Sequence, residues 1–396
     1  MTGLVVDVLL LVLALPVLAA CAYLAWLTAH SAALPAPTTD DTTRFDVLVP
    51  AHNESAGIGS TVGSLLAMDY PRQRYRVLVI ADNCIDETAS RAVAAGAIVI
   101  ERHSATERGK GYALACGYQR SISDAFADAV VVVDADTSVS PNLLSAFSAR
   151  FVRGADAVQA EYGVRNATES WRTRLMVIAL TMFHTVRSMG RERLEHSCGL
   201  RGNGMGFRTS VLQRVPPRAF SIVEDVEYGV ALGLAGVRVA YVPEALVHGD
   251  MPSSAAASAT QRARWEGGRL DMVRTLVPPL LRASAHRRTS MCRDLAFDLL
   301  VPPLTTLGLL VVAGLTLASL LEAGGVAGGL GVVPWALALA CLLSYIVRGA
   351  VLSGAGPRVV LDLMWAPVFA AWKLTLMLKP SRRPGDWVRT ARQDEP

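Results

Sequence analysis

The sequence predicts an α/β protein, a Rossmann-like, doubly wound parallel sheet flanked by N- and C-terminal transmembrane helices. Three observations predict it. Short runs rich in valine and isoleucine alternate with helix-like segments from about residue 44 onward, the pattern of a parallel sheet wrapped by helices. Four consecutive valines, Val130–Val133, run into Asp134 and Asp136, as in a strand buried on both faces that stops at a polar edge. Residues 4–28, 295–321 and 332–347 are apolar, over lengths near the ~20 residues with which a helix spans a bilayer.

In chain order, residues 1–30 hold the N-terminal anchor, whose apolar run 4–28 is interrupted only by Asp7. The stretch LAAC ending at Cys21 resembles a bacterial lipoprotein cleavage site. No Lys or Arg precedes it and the apolar run continues past it, so an uncleaved anchor is expected. After the linker HSAALPAPTTDDTT, FDVLVPA (45–51) reads as a strand, followed by a helix to about Met68. YRVLVIAD (75–82) is the second strand, with a helix beginning near Asp86; AIVIER (97–102) is the third, with a helix opening near Gly111 before the valine strand. Pro141 behind Ser140 reads as the first turn of the next helix behind its cap. His52, Asn53 and Glu54 follow the first strand, Asp82 and Asn83 the second, and Asp134 and Asp136 the fourth. Polar residues therefore gather at the C-terminal strand ends, where such sheets bind ligands.

The core is expected to occupy residues 44–250, and 251–294 to hold a further helix and basic interfacial helices. Residues 295–352 form two transmembrane helices. Residues 353–396 form an interfacial helix, with Asp362 and Lys373 at its surface, and a basic tail. A nine-residue apolar stretch within 171–190 is too short to span; it reads as a helix lying on the membrane or the transmembrane bundle, or as a buried core helix.

The hydrophobic fraction of 52% and mean hydropathy of +0.35 exclude an ordinary soluble enzyme. A net charge of +4, without basic-aromatic interleaving, implies no nucleic-acid partner. Six cysteines at 21, 84, 116, 198, 292 and 341 show no paired spacing, so no zinc or disulfide framework is implied. Arg262, Arg264, Arg269, Arg274, Arg282, Arg287, Arg288 and Arg293 precede the second span, favouring an anionic cytoplasmic leaflet and hence membrane lipids as partners. The loop 322–331 has no basic residue, whereas Arg348 and Arg358 follow the third span. Three spans with the core on the cytosolic side of the cell membrane satisfy that bias. Asp7 is nearly the only ionisable residue in them, which leaves too few polar groups for a transport path.

An Asp-x-Asp at a strand end suits Mg²⁺ or Mn²⁺, hard ions that take one or two carboxylates and complete their shell with water and substrate phosphates. The other reading is a pair of solvated turn aspartates, one capping the next helix. In SIVEDVEYG, Ser221 and Glu224 have capping-box spacing, which gives Glu224 an alternative role at the helix start. Asp225 has no such role and can face the strand-end cleft as a base. In QRARW, Gln261, Arg264 and Trp265 share one helical face. Arg264 suits a bidentate phosphate contact and Trp265 a stack against a sugar ring; an interfacial Trp/Arg pair is the alternative.

The segments VLVPAHNES, VLVIADNCIDETA, RGKGYAL, VVVDAD, VEDVEYG and QRARW occur in the order found in glycosyltransferase family 2. The chain resembles its membrane-bound branch of cellulose, chitin, hyaluronan and poly-N-acetylglucosamine synthases, over roughly residues 45–270. The resemblance implies the GT-A fold and an inverting transfer from a UDP-sugar, of a hexose or N-acetylhexosamine, to a polysaccharide or lipid acceptor. It also implies that Glu54 and Asp82 contact the base and ribose, that Lys110 lies near the nucleotide, and that Asp134 and Asp136 contact the sugar-nucleotide and metal, Asp136 as direct ligand. Asp225 would be the general base, and Glu224, Gln261, Arg264 and Trp265 would hold the acceptor and diphosphate. GNGMGF (202–207) resembles the segment beneath the acceptor sugar. The usual Asp-Asp pair of the second strand is Ala81-Asp82 here, and the chain has fewer spans than the large synthases. A non-catalytic nucleotide-binding scaffold is the competing class.

Overall fold

The computed structural model describes residues 2–218, 221, 223–251, 269–287 and 289–377. Gln261, Arg264 and Trp265 lie outside the described residues, as do the closing DWVRTAR and part of the basic run.

The first four strands are β1 (Phe45–Ala51), β2 (Tyr75–Asp82), β3 (Ile98–Arg102) and β4 (Ala129–Val132). They pair in parallel in the order β3-β2-β1-β4. The helices between them are α2 (Ile58–Leu66), α3 (Thr88–Ala94) and α4 (Lys110–Asp124), after the N-terminal helix α1 (Thr2–Ala29). Successive residues of a strand face opposite sides. Accordingly Val47 and Val49 pack with Val62, Val79 and Phe147 on one face of the sheet. Leu48 packs with Leu114, Val130 and Leu232 on the other. Both layers are dry, which is why these strands read as unbroken apolar runs.

Beyond β4 the sheet is mixed, not parallel throughout. It contains eight strands in the order β3-β2-β1-β4-β7-β6-β8-β5. The additions are β5 (Ser138–Val139), β6 (Ala157–Val164), β7 (Met205–Arg208) and β8 (Val239–Gly249). The strand β7 runs antiparallel to both β4 and β6, while β6 and β8 are parallel. The expected cap at Ser140 is also corrected. Ser138–Val139 pair with β8, the Ser140 hydroxyl accepts from Leu246 N at 2.9 Å, and α5 (Leu143–Val152) starts two residues beyond Pro141. An edge pairing takes the residues that would have made the first turn.

Among the described residues three helices are long and apolar enough to cross a membrane: Gly3–Ala29 within α1, Leu304–Ala323 and Val332–Leu352. The second span is shorter than expected. Its first six residues belong to a separate helix, Ser290–Leu300, because Pro302 and Pro303 break the run. Residues 171–193 form α6 (Trp171–Leu180), a π-helical turn Thr181–Val186, and α7 (Arg187–Arg193). Ile178, Met182 and Val186 are buried with Leu24 of α1 and with Trp335 and Tyr345 of the third span. This segment therefore lies on the bundle. Gly190 permits it: a Cβ there would stand 2.5 Å from the Leu27 carbonyl oxygen of α1. Asp7, also buried, accepts N–H bonds from Gly328 and Gly331, both at 3.0 Å, and so fastens the loop between the second and third spans.

Asp362 is corrected as well. It is buried rather than on the surface, and Arg174 Nε donates to its Oδ1 at 2.7 Å. Residues 359–377 form two helices, Val359–Leu363 and Ala366–Met377, with Trp365 stacked on Trp171 at 5.2 Å; the Lys373 side chain lies outside the described residues.

A buried ionic network joins the core to the bundle. Arg191 of α7 is fully buried, with Nε 3.0 Å from Asp294 and Nη1 3.2 Å from Asp298. Its Nη2 donates to the Tyr23 hydroxyl at 3.0 Å, and Tyr23 donates to Asp294 at 2.8 Å. Arg187 reaches Asp298 at 3.1 Å and the Tyr345 hydroxyl at 3.0 Å.

Candidate active site

Each parallel strand leaves its polar residues at the same edge of the sheet. After β1 and β2 the chain turns sharply through Asn53 and Asn83, both left-handed at φ 55° and 53°. Asparagine tolerates that region better than most residues. Their side chains tie the loops together: Asn53 Oδ1 accepts from Ile85 N at 2.9 Å and Asn83 Oδ1 from Ser104 N at 2.8 Å. Glu54 lies in the first loop. Its N–H donates to Thr88 Oγ1 at 2.7 Å and its carbonyl accepts the Gly57 and Ile58 N–H groups that open α2.

Asp82 is buried at the end of β2, and Arg102 Nη1 donates to its Oδ1 at 2.7 Å. The two are register partners on neighbouring strands. Arg102 also holds Glu107 at 2.7 Å. Sequence reasoning missed Arg102, although a signal existed: AIVIER ends on an arginine where the neighbouring strand ends on an aspartate.

The Asp134–Thr137 segment is a turn rather than extended chain, closed by Thr137 N donating to the Asp134 carbonyl at 3.2 Å. It is held from outside by Asn203, itself fully buried. Asp134 N donates to Asn203 Oδ1 at 3.1 Å, and Asn203 Nδ2 donates to Thr137 Oγ1 at 2.7 Å. The Thr137 hydroxyl lies 3.5 Å from Asp136 Oδ1. Gln159, buried on β6, fixes the loop bearing Asn203: its Nε2 donates to the Asn203 carbonyl at 2.7 Å and its Oε1 accepts from Arg201 N at 2.9 Å. Neither amide was identified from sequence as a support for this turn; Asn203 stood only within the quoted GNGMGF stretch.

Lys110, the first residue of α4, joins this turn to α9 (Glu224–Leu234). Its Nζ lies 2.5 Å from Asp134 Oδ1 and 4.0 Å from Glu224 Oε1, and it donates to the Gly202 carbonyl at 2.5 Å. Gly202 is left-handed at φ 79°, and a Cβ there would come 3.3 Å from Asp225 Oδ2, so glycine brings the loop against the acid. Glu224 does not make the expected capping box. The residue before α9 is Val223, with no side-chain cap, and the Ser221 hydroxyl accepts from Val223 N at 3.2 Å. Glu224 is thereby free to face Lys110.

The electrostatics follow from burial. Desolvation pushes Glu224 up to about 7, against the pull of Lys110. It also raises Asp225, opposed by Lys110, the Val226 N–H and Arg201. Burial disfavours the Lys110 charge, but Asp134, Glu224 and Asp225 outweigh it and its pKa rises. A carboxylate near neutrality beside a cationic side chain is the setting in which an acid accepts a proton at physiological pH.

Among the described residues no group of three or more His, Cys, Asp or Glu forms a closed metal cage. Asp134 and Asp136, two oxygen donors on one turn, instead match a hard divalent ion that keeps positions for water and phosphate. The donor set fits Mg²⁺ or Mn²⁺.

Comparison with known proteins identifies the family. The family described as "Glycosyltransferase like family 2" matches residues 43–268. A Bacillus subtilis protein named "Probable glycosyltransferase YdaM" is 26% identical over 238 residues, covering 57% of this chain and 55% of that one. An N-acetylglucosaminyltransferase of Azorhizobium caulinodans is 25% identical over 235 residues, covering 57% and 59%. The chain thus spans little more than half the length of these relatives. A solved mannosyltransferase from Pyrobaculum calidifontis, in complex with GDP-Man and Mn²⁺, superposes with a TM-score of 0.53 at 17% identity. The superposition covers 94% of this chain and 99% of that one, a likeness of fold. With the family match extending over more than half of its residues, the chain belongs to the glycosyltransferase-like family 2.

Proposed function

We propose that this protein is a membrane-mounted inverting glycosyltransferase that moves a hexose or N-acetylhexosamine from a UDP-sugar to a hydroxyl of a growing polysaccharide, forming a β-linkage. One observation carries the reading: Asp225, half-buried and raised in pKa, lies within the field of Lys110, which is ion-paired to Asp134 of the Asp-x-Asp turn. A base thus stands beside the place where a diphosphate would be gripped.

In this reaction the acceptor oxygen attacks the anomeric carbon from the side opposite the diphosphate. The bond from that carbon to the phosphate oxygen breaks, its electron pair leaves with the nucleoside diphosphate, and the hydroxyl proton passes to the Asp225 carboxylate. Asp134 and Asp136 would hold Mg²⁺ or Mn²⁺, which when bound neutralises charge growing on the diphosphate. Lys110 adds a fixed positive charge at the same edge, while Glu54 and Asp82 with Arg102 border the nucleotide side. Gln261, Arg264 and Trp265 would complete the acceptor and diphosphate contacts.

A single transfer to a membrane lipid is the second reading, favoured by α6, the π turn and α7 resting on the bundle beside the site. The excess of basic residues beside the spans favours a multi-pass protein with its catalytic domain on the cytosolic face. Arg348 supports that orientation, donating to the Ser31 hydroxyl and carbonyl at 2.9 and 2.8 Å where α1 ends.

The test is incubation of membranes bearing the protein with radiolabelled UDP-sugars and GDP-mannose, followed by sizing of products. A ladder of oligomers supports polymer synthesis and one added sugar supports the lipid acceptor. Absence of nucleotide release from every donor would leave only a binding scaffold.

A further inference from the structure

Around Arg201, which precedes the Gly202 that abuts Asp225, three buried polar atoms have no hydrogen-bond partner among the described residues: Glu161 Oε2, His184 Nδ1 and Arg201 Nε. Unpaired polar groups away from water cost free energy, so three converging on one place point to an occupant.

They come from three elements that meet. Glu161 is two residues beyond Gln159 on β6, at the irregularity in that strand's pairing with β8. Its Oε1 accepts from Thr185 Oγ1 of the π-helical turn at 2.7 Å. His184, in the same turn, is only 7% exposed. Its ring lies 5.3 Å from that of Tyr162 and 5.3 Å from that of Phe183. The Arg201 guanidinium lies over the Phe183 ring at 4.3 Å, while Arg201 N is held by Gln159. The next residue, Gly202, is the one pressed against Asp225. Turns of π-helix are rare and concentrate at functional sites.

The chemistry selects the ligand. Burial pushes Glu161 up to about 7, against the Thr185 hydrogen bond and the Arg201 charge, so near neutrality its carboxyl both donates and accepts. Burial and the charges of Arg201 and Arg187 hold His184 well below its ordinary range, so it is a neutral imidazole with one donor and one acceptor. Arg201 supplies donors only. Aromatic faces beside a mixed set of donors and acceptors match a hydroxylated ring. A phosphate would demand donors throughout and a second free cation, but Arg187 is committed to Asp298 and Tyr345.

We propose that Glu161, His184 and Arg201 form the subsite for the neutral terminal sugar ring of the acceptor, whether a glycan or a glycolipid presents it. This rests on the glycosyltransferase reading above.

The test uses the full chain in nanodiscs with UDP or GDP and Mn²⁺ present, and follows binding by ligand-observed NMR. The probes are mannobiose, cellobiose and N,N′-diacetylchitobiose for the glycan arm, octyl glucoside and octyl mannoside for the glycolipid arm, and inorganic phosphate and farnesyl phosphate for the charged arm. At least one neutral probe is expected to bind. Glu161→Ala and Arg201→Ala should weaken it at least tenfold and Glu161→Gln less than threefold, with nucleotide affinity unchanged in all three. Binding of disaccharides identifies a glycan, and binding of alkyl glycosides alone a glycolipid. The subsite is overturned if no neutral probe binds, if a phosphate probe displaces it, or if the alanine variants bind like the parent. Failure of the parent to bind nucleotide would instead strike the glycosyltransferase reading.

Discussion

Lys110 Nζ lies 2.5 Å from Asp134 Oδ1, so the first residue of α4 is ion-paired to the turn that ends the valine strand. Two carboxylates on one turn repel each other, and in this structure a lysine supplies compensating charge to the first of them. The same ammonium group reaches Glu224, at 4.0 Å, on the helix that carries Asp225. Disturbing it should therefore be felt on both the diphosphate and the base sides of the site.

The pH profile is the direct readout of that coupling. Below its pKa Asp225 already carries a proton and cannot take another, so kcat/KM falls as pH falls. Burial raises that pKa and Lys110 lowers it. Lys110→Gln removes the lowering charge, and the acid limb is expected to move to higher pH. An unmoved limb would separate Lys110 from the base.

Asp225→Asn keeps the shape of the side chain but removes the proton acceptor. Transfer should fall by about 10²–10⁴-fold, the usual scale of general-base catalysis, while nucleotide affinity changes little. Single-turnover rates and nucleotide binding measured side by side check this; near-parental turnover would take the base role from Asp225.

Divalent-ion dependence follows from two carboxylates on one turn. Excess EDTA is expected to abolish transfer, with Mn²⁺ or Mg²⁺ restoring it, and Asp136→Asn should weaken metal-dependent nucleotide binding at least tenfold. Full activity under chelation would contradict the assignment of Asp134 and Asp136.

The network under the site gives a stability prediction. Arg191→Met leaves Asp294 and Asp298 buried without their main partner, and breaking such a pair costs about 3–5 kcal/mol. A lowered unfolding temperature in detergent is expected. It should be partly recovered when Asp294→Asn is added, because that uncompensated charge is then gone, while Asp298 keeps Arg187 as its partner.

Several features were legible in the sequence because they depend on local pattern. The valine strand needed only its composition, and the acids that end β2 and β4 needed only their place after an apolar run. Asp225 stood out as an acid at a helix start with no capping task. Other features were illegible for an equally physical reason. Ser138–Val139 became an edge strand because β8 was there to pair with, which no local propensity records. Asn203 supports a turn whose Asp134 lies 69 residues earlier in the chain. Asp362 looked like a surface residue on an amphipathic segment until Arg174 was found against it.

The sequence by itself determined the alternating strands and helices of the catalytic domain, its three membrane-length helices and the acids at its strand ends, because hydrophobic periodicity and chain length fix these locally. Only the tertiary structure decided which charges meet: Lys110 with Asp134 and Glu224, Asp82 with Arg102, Arg191 with Asp294 and Asp298. Coulomb energy and desolvation depend on distance and burial in space, and separation along the chain encodes neither.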